Sequence, residues 1–500
     1  MSKTPDPKLF DLIHSLTATE KRYFKVNVGK SSGKNNHQFM EIFEIISKMK
    51  SFDEEELKAK LDKGSGSKHL AFRKSHLYNV ILSELRGYHK TSSQEIEVLN
   101  LLQSVKITFD KGLFHQSETL IKKLKKKCVD YNFKQYIIAV GFWEKKIINS
   151  LTSGKFKESS NHETEKKLID KLVIEQKDAL GYLNKELHLW LTRVELLDFY
   201  RFGKNTSKHT LTELKAKSKS ILLSKPSNDN HIELKVQELI INHMIIFFEG
   251  DYNRGYKLQY QLLNLLKDNP KYIETNLDGY ITQINNFLTI SFNAGIIDEV
   301  PKWLEELDAQ YEKPKVKSNL YLGSRVYSFH QLNQLRYFNY QEMYPEACAA
   351  LNTKRYSMYD KEINPYKRFQ IIYNLVISLF FCSNYKATLQ WANRIINSSI
   401  KVRPKELSLM RTISYLVHYK LGNHSLIESL HASINQKFNT DLELNVPEKI
   451  VLDSLNKMCF NPLDVKNLKI KLHQDYDDSV QNKNTTHKNM LNFIGNSLIN

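Results

Sequence analysis

The sequence predicts an all-α protein in which helical hairpins stack into a solenoid behind a small helical N-terminal module. Three observations predict it. Apolar residues recur at three- and four-residue spacing from about residue 92 onward, the period of a helix face rather than of a strand. Glycine and proline are sparse, 17 and 11 in 500 residues, which suits long helices and leaves few turns for a β protein. The third observation is that those few breakers fall at regular intervals.

Length fits the same picture. A single core stops growing at roughly 250–300 residues, so this chain divides into domains or repeats. The apolar share of 41% and charged share of 26% are ordinary for a water-soluble chain. The opening MSKTPDPKLFDLIHSL lacks the apolar run of a secretory signal, and LIINHMIIFF and LVISLFFC are too short to span a bilayer. Cys128, Cys348, Cys382 and Cys459 are scattered without a C-x-x-C pair, so neither a zinc site nor a disulfide framework is expected and the cytoplasm is the expected location. The net charge of +18 favours acidic proteins, nucleic acid or anionic membranes without choosing among them.

Residues 1–91 form the first module. Thr17-x-x-Glu20 is a capping box ahead of KRYFKVNV, and Ser51-x-x-Glu54 another ahead of ELKAKL. Its last helix is expected from about Lys68 to Tyr88, with Leu70, Leu77, Ile81 and Leu85 toward the core. Between the helices, Gly29-Lys30-Ser31-Ser32-Gly33 matches the G-x-S-x-G of a hydrolase nucleophile elbow, and Gly29 to Lys34 approaches a phosphate-binding loop. Both motifs need a strand before them, and Asn35 replaces the metal-binding hydroxyl of a phosphate loop. A basic loop is the reading here.

Residues 92–440 carry the repeat. KVQELIINHMIIFF is one amphipathic helix, Gly250 a turn, and GYKLQYQLLNLLKDNP a second helix that Pro270 closes. Aromatic residues precede small turn residues by three positions at Phe109/Gly112, Phe247/Gly250, Phe292/Gly295, Phe380/Ser383 and Tyr419/Gly422. Weaker copies at Gly154, Gly203 and Glu342 complete a series spaced by roughly 39 to 49 residues, within or near helical-repeat periods. Pro226, Pro270, Pro314, Pro365, Pro404 and Pro447 each follow a turn by about 19 to 25 residues, where a second helix ends. Residues 441–478 read as C-terminal capping helices. Residues 479–500 form a polar linker and a short amphipathic segment around Met490, Phe493 and Leu498 that can dock in cis or on a partner.

Phe247-x-x-Gly250-x-Tyr252, Phe380-x-x-Ser383-x-Tyr385 and Tyr344-Pro-Glu-Ala347 resemble the turn of a tetratricopeptide repeat, in degenerate form. The resemblance implies a right-handed α-α superhelix. LTATEKRYFK, SFDEEELKAKL and HLYNVILSELRGYH resemble the opening of an uncharacterised bacterial group of tetratricopeptide-like proteins, a likeness that implies architecture and no activity. Such repeats hold peptides or partner helices against the first helix of each hairpin. By the repeat phase, Asn285, Thr289, Asn293, Arg336 and Gln370 fall on or near that face, with amides and a guanidinium suited to an extended backbone or a carboxylate.

No metal, cofactor or catalytic constellation is expected. The 17 histidines form no H-E-x-x-H pair, and Asp53 to Glu56 are acids at a helix start. The expected function is a non-enzymatic scaffold whose partner is a protein or peptide, acidic ones included. The alternative is a nucleic-acid-associated regulator, with Arg73, Lys74 and His76 contacting DNA or RNA from the first module and the repeats sensing a ligand.

Overall fold

The computed structural model describes residues 7–30, 36–61, 70–91, 93–152, 162–202, 211–223, 231–351, 357–359, 362–397, 404–437, 446–460 and 465–479. Every regular element among them is a helix, and none is long and apolar enough to cross a membrane. The turns expected at Gly154 and Gly203, Pro226, the Gly64–Lys68 connector and the segment around Phe493 lie outside the described residues. The chain divides into two compact units, Met1–Asp251 with Asn264–Thr275, and Tyr252–Leu263 with Asn276–Asn500.

In the first unit, α1 (Lys8–Ser15), α2 (Ala18–Lys30), α3 (Asn36–Lys48), α4 (Glu54–Lys60) and α5 (Leu70–Tyr88) enclose a core of their own. Phe24, Phe43, Ile46, Leu57 and Leu77 are its fully buried centre, each such side chain contributing about 2 kcal/mol through loss of hydrated apolar surface. The first capping box forms as expected. The Thr17 N–H donates to Glu20 Oε2 at 2.7 Å and the Glu20 N–H donates to Thr17 Oγ1 at 3.3 Å. The second cap shifts: Asp53, not Ser51, accepts from the Glu55 and Glu56 N–H groups, because a carboxylate two and three residues ahead reaches those donors directly. Gly29 and Lys30 belong to the last turn of α2, so the elbow-like stretch begins inside a helix.

Next come α6 (Gln94–Asp110), α7 (Phe114–Asp130), α8 (Lys134–Thr152), α9 (His162–Phe202), α10 (Leu211–Leu223) and α11 (Ile232–Glu249). They are followed by α12 (Tyr252–Lys267) and α13 (Pro270–Thr275). The second unit contains α14 (Leu277–Ala294), α15 (Val300–Glu312), α16 (Pro314–Lys317), α17 (Leu320–Tyr340) and α18 (Tyr344–Ala350). It continues with α19 (Pro365–Phe381), α20 (Tyr385–Ile396), α21 (Pro404–Lys420), α22 (His424–Lys437), α23 (Val446–Phe460) and α24 (Val465–Ser479). Val451, Leu455 and Leu472 of the last two helices close one core with Phe369, Phe380, Met410 and Leu416.

The hairpin turns share one geometry. Gly112, Gly250, Gly295, Glu342, Ser383 and Gly422, all expected turn residues, adopt positive φ. Each N–H donates to the carbonyl three residues back, which belongs to Phe109, Phe247, Phe292, Asn339, Phe380 or Tyr419. In five of these turns the next N–H reaches back five residues, as Ile296 does to Ser291 at 3.0 Å and Asn384 to Leu379 at 2.9 Å. These are Schellman closures, which satisfy carbonyls left open at a helix end. The aromatic three positions before the turn is thereby fixed at the last helical turn, where Phe380 is fully buried and Phe109 packs edge-on against Trp143. A seventh left-handed turn, Asn132, closes α7 in the same way. It escaped the sequence pattern because Val129 stands in the aromatic slot.

Candidate functional site

Three helices of the second unit bring a group of cations together around an aromatic ring. Asn319 caps α17 by accepting from the Leu322 N–H at 3.0 Å. Asn364 caps α19 through the Tyr366 N–H at 3.0 Å, and Pro365 occupies the first helical position. These caps satisfy first-turn N–H groups and fix where both helices begin. Arg325, Phe329 and Arg336 then share one face of α17, at i, i+4 and i+11. Lys367, Gln370 and Asn374 share one face of α19, and α17 packs between α14 and α19.

Phe329 is the apolar floor. The Arg325 guanidinium lies 5.0 Å and the Lys367 ammonium 5.3 Å from its ring centroid, both within cation–π range. Arg325 is anchored from α14: Nε stands 2.6 Å from Asp278 Oδ1, and a terminal nitrogen donates to Thr282 Oγ1 at 2.7 Å. Arg336 lies 5.8 Å from the Phe292 ring. Lys367 differs from both. It makes no ion pair among the described residues, and burial, with Arg336 and Arg325 nearby, pulls its pKa down to about 8. An ammonium withdrawn from water and flanked by like charge is destabilised in its protonated form, yet at neutral pH it is still mostly protonated.

The five residues expected on this face are distributed unevenly. Asn285 is buried, its Oδ1 accepting from Asn333 Nδ2 at 3.2 Å, so its amide joins α14 to α17 rather than facing a ligand. Thr289 is half-buried and donates to the Asn285 carbonyl at 2.8 Å, a bond within its own helix. Asn293 is exposed at the end of α14, and Arg336 is half-buried beside Phe292. Gln370 is half-buried, and its Oε1 is fully enclosed without a hydrogen-bond partner among the described residues. Lys367 and Arg325 escaped the sequence reading. The signal was present in the spacing: Lys367 lies three before Gln370, and Arg325 eleven before Arg336.

The residues of the nucleic-acid alternative stand near the start of α5. Lys74 Nζ is 3.3 Å from Glu54 Oε2 and 5.4 Å from the Phe52 ring centroid. His76 is exposed and leans on the Phe39 ring at 4.8 Å, and Arg73 is half-buried.

Elsewhere, a recess of about 430 Å³ between α7, α8 and α9 is lined by Lys125 and Glu144, which pair at 3.0 Å. In the first turn of α11, burial raises Glu233 to about 7, and Tyr182 donates its hydroxyl to that carboxylate. The fold also brings Cys348 and Cys382, distant in sequence, to a sulfur separation of 3.6 Å as free thiols, and burial pushes Cys348 up to about 12. Among the described residues no group of three or more His, Cys, Asp or Glu is placed to hold a metal ion. Comparison with protein-family models, curated proteins and solved structures finds no match for this chain.

Proposed function

We propose that the chain is a non-enzymatic scaffold of tetratricopeptide-like hairpins that holds a carboxylate-rich segment of a protein partner on the face of α14, α17 and α19. The observation that carries this reading is Lys367, a half-buried cation packed on the Phe329 ring without an acidic partner among the described residues. Burying a charge without its counter-charge costs free energy, and a carboxylate supplied by a ligand offsets that cost. Gln370 and Asn374 lie further along the same helix face. Phe329 gives the segment an apolar floor. The net charge of +18 steers acidic partners toward such a face.

The test is fluorescence anisotropy of the intact protein with a labelled Glu-rich peptide, a neutral peptide of the same length and a DNA duplex. The acidic peptide binds, and binding weakens with salt. Lys367→Met retains the apolar stem and removes the charge, so affinity for the acidic peptide falls roughly five- to tenfold, the weight of one charge-assisted contact. The same variant melts higher than the wild type, because a desolvated charge is gone. Equal binding of acidic and neutral peptides, or an unchanged affinity in Lys367→Met, overturns the proposal. Preferred duplex binding that is lost on replacing Arg73, Lys74 and His76 moves the function to the N-terminal module.

A further inference from the structure

Helix α9 is apolar on two opposite faces. One face, with Tyr182, Leu189, Leu196 and Phe199, is buried in its own unit. Roughly half a turn away at 100° per residue runs a second stripe that its own unit leaves open. Leu180 is 56% exposed, Leu187 55%, Trp190 49% and Leu197 37%. With Val194 and Leu183, both half-buried and Leu183 also touching the inner core, these residues recur at three- and four-residue spacing: 180, 183, 187, 190, 194, 197. That is the seam of a coiled coil, and an exposed aliphatic and tryptophan stripe of this length is unusual on a lone soluble chain.

We infer that this stripe is an interface between two copies of the chain, with α9 packed antiparallel against α9 of the second copy. Charge selects the partner and its direction. Lys177, Glu186 and Asp198 flank the seam and have no ion-pair partner among the described residues. In the antiparallel register that sets Leu187 against Trp190 of the second copy, Lys177 meets Asp198 and Glu186 meets Arg193. The twofold axis makes each pair twice. A parallel register pairs only Arg193 with Asp198 and places Glu186 against Leu191. Arg193 keeps its inward bond to Gln237 Oε1 at 3.0 Å, so its side chain is already ordered at the rim.

Sedimentation velocity on the full chain across a concentration series tests the inference. The wild type shifts from a 58.6 kDa monomer to twice that mass as concentration rises. Trp190→Glu, an exposed position whose replacement leaves the fold intact by circular dichroism, weakens the dimer at least tenfold, as loss of an interface anchor does. Lys177→Glu weakens it several-fold, and Lys177→Glu combined with Asp198→Lys restores it, which only antiparallel pairing of identical chains explains. A wild type that stays monomeric to about 100 µM, or a dimer indifferent to Trp190→Glu, overturns the inference. Failure of the charge swap to restore association rejects the antiparallel register. A monomer that dimerises only after residues 486–500 are removed shows that the terminal segment covers the stripe, and also overturns it.

Discussion

At the scale of single residues, burial rather than sequence neighbourhood sets the chemistry. Glu233 stands in the first turn of α11, where the helix dipole favours a carboxylate. Its pKa nevertheless rises to about 7, because enclosure penalises the charge more than nearby Lys134 supports it. The folded state therefore holds this proton to a higher pH than the unfolded chain does. The associated stability is complete below the ordinary carboxylate range and is lost as pH climbs through about 7. Melting temperature of the wild type relative to Glu233→Gln is expected to fall between pH 5 and pH 8. A difference that is constant or rises over that window contradicts the assignment. None of this was legible beforehand: the acid at a helix start is visible in the sequence, but the Tyr182 hydroxyl comes from α9, 51 residues away. Lys367 was hidden for the same reason, since the ring and the like charges beside it, Phe329, Arg325 and Arg336, come from α17.

At the scale of elements, the sequence was most legible where a local rule closes the structure locally. A left-handed residue is needed to end a helix by a Schellman closure, glycine adopts it without penalty, and six expected turn positions adopt it here. Gly250 has φ +80 and no atom within 4 Å of a built Cβ, so Gly250→Ala meets backbone strain alone. It is expected to cost about 1 kcal/mol, and Gly250→Asn less. Ser383, exposed at φ 57, carries that strain already, and Ser383→Gly is expected to gain about 0.5–1 kcal/mol. Chemical denaturation measures all three; a neutral Gly250→Ala with a destabilising Ser383→Gly refutes the shared turn geometry. Helix α9 shows the other side. The turns expected at Gly154 and Gly203 imply two helices between them, yet His162–Phe202 runs as one, with no proline and Gly181 as its only glycine. A long helix keeps one face inward over its whole length, so the opposite face stays apolar and open, a consequence that periodicity alone did not show.

At the scale of the molecule, the all-α class followed from period and punctuation, because these record the burial face of each helix. The candidate site followed only partly. The five residues named from the repeat phase fall on α14, α17 and α19, and Arg336 and Gln370 are half-buried there. Asn285, by contrast, is consumed by the contact between α14 and α17, since an amide on an inner helix face serves packing as readily as recognition. What converts that face into a candidate binding surface is the charge withdrawn from water at its centre. The most direct measurement follows the ε-amine of Lys367 by NMR in lysine-labelled protein, with Lys367→Met assigning the resonance. A titration midpoint near about 8, rising when a Glu-rich peptide saturates the protein, is the predicted result. A midpoint at the ordinary lysine value of 10.5, unmoved by the peptide, would contradict the account.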